Sequence, residues 1–407
     1  MQLINETRIS EPESSGDGSR PLEGVRVLEF GQYAAGPFAG LLLADWGADV
    51  VKVEPVGGEG LRAWPPMATS ENSDGYSFNF AAINRNKRSV VIDLKDPDGL
   101  ERAKRMAAHA HIVIENFRPG VMDRLGLGYE ALVQFNPRLV YCTVSGYGHT
   151  GPYAHKGAFD IAIQGASGIM SVTGDADGPP AKCGVPVADF TSGTFAALSC
   201  MVALRKAEQT GKPSRVDVSM LSCMLAISGL QTGEFWGTGS TPRRMGSSHP
   251  QNAPYQAFHG ADGKWFIVAA GNDRLWSRVC QVVGQPELAA DLRFAAQSDR
   301  SANQKELAIL LQELFRHQTA KWWLDTFDQA QVPSAPVLDY AEALNTSHIR
   351  ETGLIHSMDL PNGQVIPTVG NPIAMSDYAF TVFRRPALVG EHDAEIDREW
   401  LGAGSAA

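Results

Sequence analysis

Asp189 stands in VADFTSG, after the apolar run GVPVA and before an apolar stretch beginning TSGTFAAL. Two compatible readings meet there. Aspartate is among the best helix N-caps, and the pattern predicts a cap at the head of a helix over 189–211. A carboxylate at a helix N-terminus is also kept ionised by the dipole and by amide hydrogen bonds. That is the state a carboxylate nucleophile needs. Position alone favours the cap. A second cluster, Asn116, Phe117, Arg118 and Arg124, follows a predicted parallel strand. Ligands of open α/β sheets bind beyond the carboxyl ends of strands. One aromatic and two basic side chains suit an adenine with phosphates, and equally suit a solvated turn with an aromatic plug. Gly31, Gly36 and Gly40 form GxxxxGxxxG, which lacks the close second glycine of the dinucleotide fingerprint GxGxxG, although Glu54 ends the next strand where a ribose-binding acid would sit. Glycines that only make the turn and pack the helix explain the pattern at least as well.

Other chemistries find no support. The 407 residues hold no GxSxG, no GxxxxGK[ST] and no HExxH, so no metal site and no permanently bound cofactor is expected. Cys142, Cys183, Cys200, Cys223 and Cys280 are widely spaced without a CxxC and read as buried thiols of a reducing compartment. A net charge of −10 argues against a non-specific nucleic-acid binder. Hydrophobic residues make up 43% of the chain, ordinary for a globular protein, and no stretch is expected to cross a membrane. Residues 1–20 are polar, lack a signal peptide's apolar core and are expected to form a flexible tail on a cytoplasmic protein.

The elements that would position these residues alternate. VRVLEF (25–30), a helix over 37–46 and ADVVKVE (48–54) make a βαβ unit, which implies a parallel sheet. SVVIDL (89–94), a helix over 96–110, HIVIE (111–115) and RLVYCTVSG (138–146) continue it, and 157–170 has helical length. The fold class is therefore α/β, a doubly wound Rossmann-like large domain (21–229) with a smaller α+β domain (230–330) and a return segment (331–407) completing the large one. Residues 231–254 read as a long loop. YQAF and KWFIVAA (255–270) read as a hairpin, three helices follow at 273–283, 303–317 and 320–329, and PNG (361–363) turns a second hairpin.

Taken together, PLEGVRVLEFGQYAAGPFAGLLLADWGADVVKVE, NRNKRSVVIDLKDPDG, ENFRPGVMDRLGLGY, SGYGHTGP, VADFTSG and PALVGEHDAEI resemble, in order, the class III (CaiB/BaiF) coenzyme A transferases, the family of formyl-CoA transferase. The likeness spans about residues 21–401. It implies a CoA-transferase that takes acyl-CoA and free carboxylic acids as substrates, built as an interlocked homodimer. The family's catalytic aspartate falls on Asp189. Its CoA contacts fall on Tyr33, Ala35, Ile92, Lys95, Asn116, Phe117, Arg124 and Leu125. The family often has an arginine where this chain has Pro55, and Arg62 is expected to take its place near the phosphates. The α-methylacyl-CoA racemases share the fold, but their histidine aligns with Phe159, which carries no proton. A non-catalytic CoA-binding module is the third possibility. RRMGSSHPQNAPYQAF corresponds to the family's glycine-rich active-site loop. Gly246, Ser247, Ser248 and His249, or the amides of the Asp189 helix, are expected to face the acyl group, and Arg243 or Arg244 to pair a distal carboxylate. The 240–270 region looks most like transferases that use succinyl-CoA and a C4–C6 dicarboxylate such as glutarate or hydroxymethylglutarate.

Overall fold

The computed structural model describes residues 20–70 and 73–402, so nearly all of the expected 1–20 tail lies outside the described residues. Six parallel strands form the central sheet: β1 (Arg26–Glu29), β2 (Asp49–Glu54), β3 (Arg88–Val91), β4 (Ile112–Glu115), β5 (Val140–Ser145) and β6 (Ser214–Ser219). Their order is β3-β2-β1-β4-β5-β6. The chain winds outward from β1 in both directions, which is the doubly wound topology, and the loops after β1 and β4 meet at the switch point.

Strand alternation sends side chains to two separate cores. Val27, Ile112, Ile114, Val140 and Cys142 face one core, shared with helix α1 (Ala35–Asp45). Leu28, Val51, Val113 and Tyr141 face the other, shared with Ala103 and Met106 of α2 (Pro97–His109) and with Ile396 and Trp400 near the C-terminus. Before the long helix comes a short one, α3 (Asp160–Ala166), where sequence had suggested a helix over 157–170. The long helix is α4 (Val187–Thr210), which lays Ala196, Ala197, Cys200 and Ala203 into the first core. Its 24 residues, with a mean hydropathy of 1.5 over the most apolar window, are long and apolar enough to cross a membrane, contrary to expectation. Within this fold they pack on α1 and the sheet, and the first turn carries a carboxylate.

Residues Met170–Lys182 and Glu234–Ser347 form a second compact unit. The expected bounds of 230 and 330 thus differ from those of the structure, which adds the 170–182 excursion and extends the unit to 347. His348 onward joins the first unit, where Arg88 pairs with Glu395 and Glu399. In the second unit Tyr255–His259 and Trp265–Ala269 pair as the expected antiparallel hairpin, and Ser334–Pro336 adds a third strand. Helices Asp273–Val282, Gln304–Phe315 and Ala320–Gln329 fall close to the predicted spans. The PNG hairpin pairs Ile355–Asp359 with Val365–Val369. The predicted 231–254 loop is corrected at its start, since Gly229–Thr238 is helical. Its three glycines hide the helix from propensity.

Candidate functional site

The β1–α1 turn lies over the carboxyl ends of the strands and is held by side chains from around it. Asn116, immediately after β4, donates its amide to Gln32 O and accepts from Gln32 N, both at 2.9 Å. Tyr33 adopts a left-handed backbone (φ 61°), uncommon for a bulky residue. Its N–H donates to Glu59 Oε2 at 2.8 Å, and its half-exposed ring lies 5.7 Å from Trp64. Ala35 is buried at the first turn of α1. Of the other expected CoA contacts, Lys95 and Arg124 make no side-chain ion pair or hydrogen bond among the described residues, and Arg124 is exposed. Phe117 and Leu125 are half-buried against the second core. Ile92 is buried in that core, and its N–H donates to Glu54 O at 2.9 Å. The Asn116 amide is spent on the turn and positions Gln32.

Arg62 does not replace the missing arginine at position 55. Its guanidinium grips buried Glu54 through two 2.6 Å bonds, donates to Ala387 O and stacks over Phe80. A bidentate pair this well satisfied is not available to a phosphate.

Asp189 is the third residue of α4, not its cap. The helix starts at Val187 after Pro186, and the Ala188 N–H is taken by Asp160 Oδ1 at 2.9 Å. The capping carboxylate thus comes from α3, and the Asp189 carboxyl accepts no hydrogen bond among the described residues. Nor does its own N–H find a partner there; it is one of the orphan amides of a helix start. The expectation that dipole and amides keep Asp189 strongly ionised fails for this reason. Burial, and then the neighbouring Asp160 charge, push its carboxyl up to about 7. Asp160 is itself held by buried Gln164, whose Nε2 donates to Oδ2 at 2.7 Å while Oε1 accepts from Cys183 N at 2.8 Å. Phe159 occupies the N-cap of α3 and is 76% exposed. Asp160 and Gln164 were missed in the sequence, although their four-residue spacing on a predicted helix places them on one face.

One turn beyond Asp189, Gly193 lets α1 approach. A Cβ there would lie 2.7 Å from Ala35 O and 3.1 Å from Phe38. The Asp189 helix and the Tyr33–Ala35 turn are therefore packed together at backbone contact.

The 243–249 segment belongs to the second unit and is mostly committed within it. Arg244 donates to Asp175 O and Gly178 O, clasping that turn. The amides of Gly246, Ser248 and His249 donate to Gly174 O, Met245 O and Tyr255 O. Ser247 Oγ accepts from Ala257 N, and Ser248 Oγ donates to Gln256 Oε1. Arg243 is exposed and makes no ion pair among the described residues.

The βαβ switch-point turn thus lies beside a half-buried aspartate whose carboxyl takes no hydrogen bond among the described residues. A family model described as CoA-transferase family III matches residues 22–393. The succinate–glutarate CoA-transferase of Agrobacterium fabrum is 38% identical over 92% of this chain and 94% of its own. The succinyl-CoA:glutarate CoA-transferase of Mus musculus is 34% identical, covering 96% and 88%. An acetyl-CoA:oxalate CoA-transferase of Acetobacter aceti is 39% identical, covering 88% and 90%. Among solved structures, a CaiB/BaiF family protein from Brucella suis superposes with a TM-score of 0.84 at 37% identity, over 94% of this chain and all of that one. The chain belongs to CoA-transferase family III. It is an enzyme that transfers CoA between carboxylic acids.

Proposed function

We propose that this chain moves CoA from succinyl-CoA to a C4–C6 dicarboxylate, with Asp189 as the nucleophile. The observation that carries this reading is a carboxyl group in the first turn of α4 that is half-buried and takes no hydrogen bond among the described residues. Asp189 in its ionised form attacks the thioester carbonyl, expelling CoA thiolate and leaving a mixed anhydride. The thiolate then attacks the aspartyl carbonyl, releasing the donor acid and leaving a β-aspartyl-CoA thioester. The acceptor carboxylate attacks that thioester, and the returning thiolate opens the second anhydride to give the new acyl-CoA and free Asp189. No step needs a proton donor or water, so thioester energy is conserved. The Asp189 N–H, without a partner among the described residues, is the donor best placed for the oxyanion, because three of the four amides in 246–249 already donate elsewhere.

Tyr33, Ala35, Phe117 and Leu125 would line the CoA with Ile92 behind them, and Lys95 and Arg124, unpaired among the described residues, would meet its phosphates. Phe159, with no proton to move, argues against α-methylacyl-CoA racemase chemistry, and an unbonded carboxyl near neutral pKa argues against a purely structural module. The substrate follows the names of the Agrobacterium fabrum and Mus musculus relatives, both of which pair succinate or succinyl-CoA with glutarate. Of the two arginines, Arg243 is the one open to a distal carboxylate. Leu198 and Val202 on α4, with Leu225 and Leu230 beyond it, are exposed and suit the interface of an interlocked homodimer. We place the enzyme in the cytoplasm. Incubation with succinyl-CoA followed by hydroxylamine and peptide mass spectrometry should place the modification on Asp189 alone. Full activity in Asp189→Ala would sink the mechanism, and solvent deuterium entering the α-carbon without acyl exchange would favour racemisation.

A further inference from the structure

Beneath the β1–α1 turn lies a cluster of four charges that the transfer chemistry does not use. Glu29 ends β1, Lys52 is its register partner on β2, Lys87 precedes β3, and Glu59 follows β2. All four are at most 3% exposed. Lys52 Nζ lies 3.0 Å from Glu29 and 2.8 Å from Glu59, and Lys87 Nζ lies 2.8 Å from Glu29. Burial pushes Glu29 up, but Lys87 and Lys52 together outweigh it and hold its carboxyl below the usual range. Burying four charges costs several kcal/mol per ion, and apolar residues of similar volume often serve stability as well or better. Stability alone therefore does not explain the cluster.

Its remaining bonds do. Lys52 donates to Gly31 O at 2.7 Å, Lys87 donates to Pro37 O at 2.7 Å, and Glu59 accepts from Tyr33 N at 2.8 Å. The two ends and the centre of one turn are thus fixed by one charge cluster, and the centre is the residue in the strained left-handed conformation. A glycine at position 40 leaves room for the cluster, since a Cβ there would collide with the Glu29 carboxylate.

We infer that Glu29, Lys52, Glu59 and Lys87 are positioning residues that hold the Gly31–Pro37 turn in the shape that receives CoA. This rests on the reading that the turn contacts CoA. The double variant Glu29→Gln/Lys87→Met removes one charge of each sign and leaves the Lys52–Glu59 pair intact, so the interior stays neutral. In the folded double variant the KM for acyl-CoA should rise about tenfold while kcat changes less than about threefold, because ground-state and transition-state binding are lost together. Tyr33→Ala is the control. If Tyr33→Ala raises KM and the double variant does not, the cluster does not position the turn and the inference is wrong. If neither changes KM, the turn does not hold CoA and the underlying reading fails with it. A fall in kcat at unchanged KM would also overturn the inference. Should the double variant fail to fold, Glu59→Gln, which weakens the Tyr33 contact at nearly constant shape, is read by the same criteria.

Discussion

Removing the Asp160 charge should move the pH dependence of catalysis in a direction that the site dictates. Asp189 is raised from 3.8 to about 7, by burial first and by Asp160 second. If Asp189 must be ionised to attack, kcat/KM for acyl-CoA in the wild type should climb about tenfold per pH unit below 7 and level off above it. Asp160→Asn keeps an oxygen for the Ala188 N–H, so the start of α4 stays capped, but it deletes the like charge. Asp160 is the smaller of the two causes, so its share is under half of the elevation, about one pH unit. The profile should therefore move acidward by about one unit, which multiplies the ionised fraction at pH 5.5 about eightfold. The replacement amide turns a donor toward Gln164 Nε2, which costs about 1 kcal/mol of stability. Initial rates over pH 5 to 9 with saturating acceptor, plotted relative to each enzyme's own plateau, read the shift. A wild-type profile flat across that range would refute the elevated titration of Asp189. An unmoved or alkaline-shifted profile in the variant would refute Asp160 as the source of repulsion. Stability has the complementary sign. The folded state retains the Asp189 proton after the unfolded chain has lost it, so this group's contribution is fully present below about 4 and is lost as pH rises through about 7.

Gly193→Ala should destabilise, although Gly→Ala inside a helix normally gains about 1 kcal/mol. The added methyl meets Ala35 O at 2.7 Å, and overpacking of this kind costs about 1–3 kcal/mol; a gain in urea denaturation would show that α1 yields freely. Arg243→Ala should raise the dicarboxylate KM by about tenfold and leave monocarboxylate turnover unchanged. Arg244→Ala should instead loosen the 174–178 turn, visible as faster proteolysis there; a selective acceptor effect from Arg244 rather than Arg243 would reverse the assignment.

Much of the fold was legible because its signals are local. Short apolar runs such as VRVLEF and HIVIE, separated by helix-length segments, require a parallel sheet, and PNG requires a turn, whatever the rest of the chain does. The local pattern placed Asp189 at the start of a helix for the same reason, and the resemblance carried the catalytic aspartate onto it. What Asp189 does there depends on Asp160, twenty-nine positions earlier, which takes the capping role and leaves the Asp189 carboxyl without a hydrogen bond. The same dependence on distant partners decided Arg62, committed to Glu54 and Ala387, and Asn116, committed to Gln32. Partners drawn from other elements, and the field of a neighbouring charge, act over a few ångströms in space and leave no spacing in the chain. The sequence alone therefore determined the parallel sheet, most of the helices and the proposal of Asp189 as the nucleophile. Only the tertiary structure decided that this residue is no cap, that burial and a second carboxylate bring its titration to neutral pH, and that buried lysines hold the turn beside it.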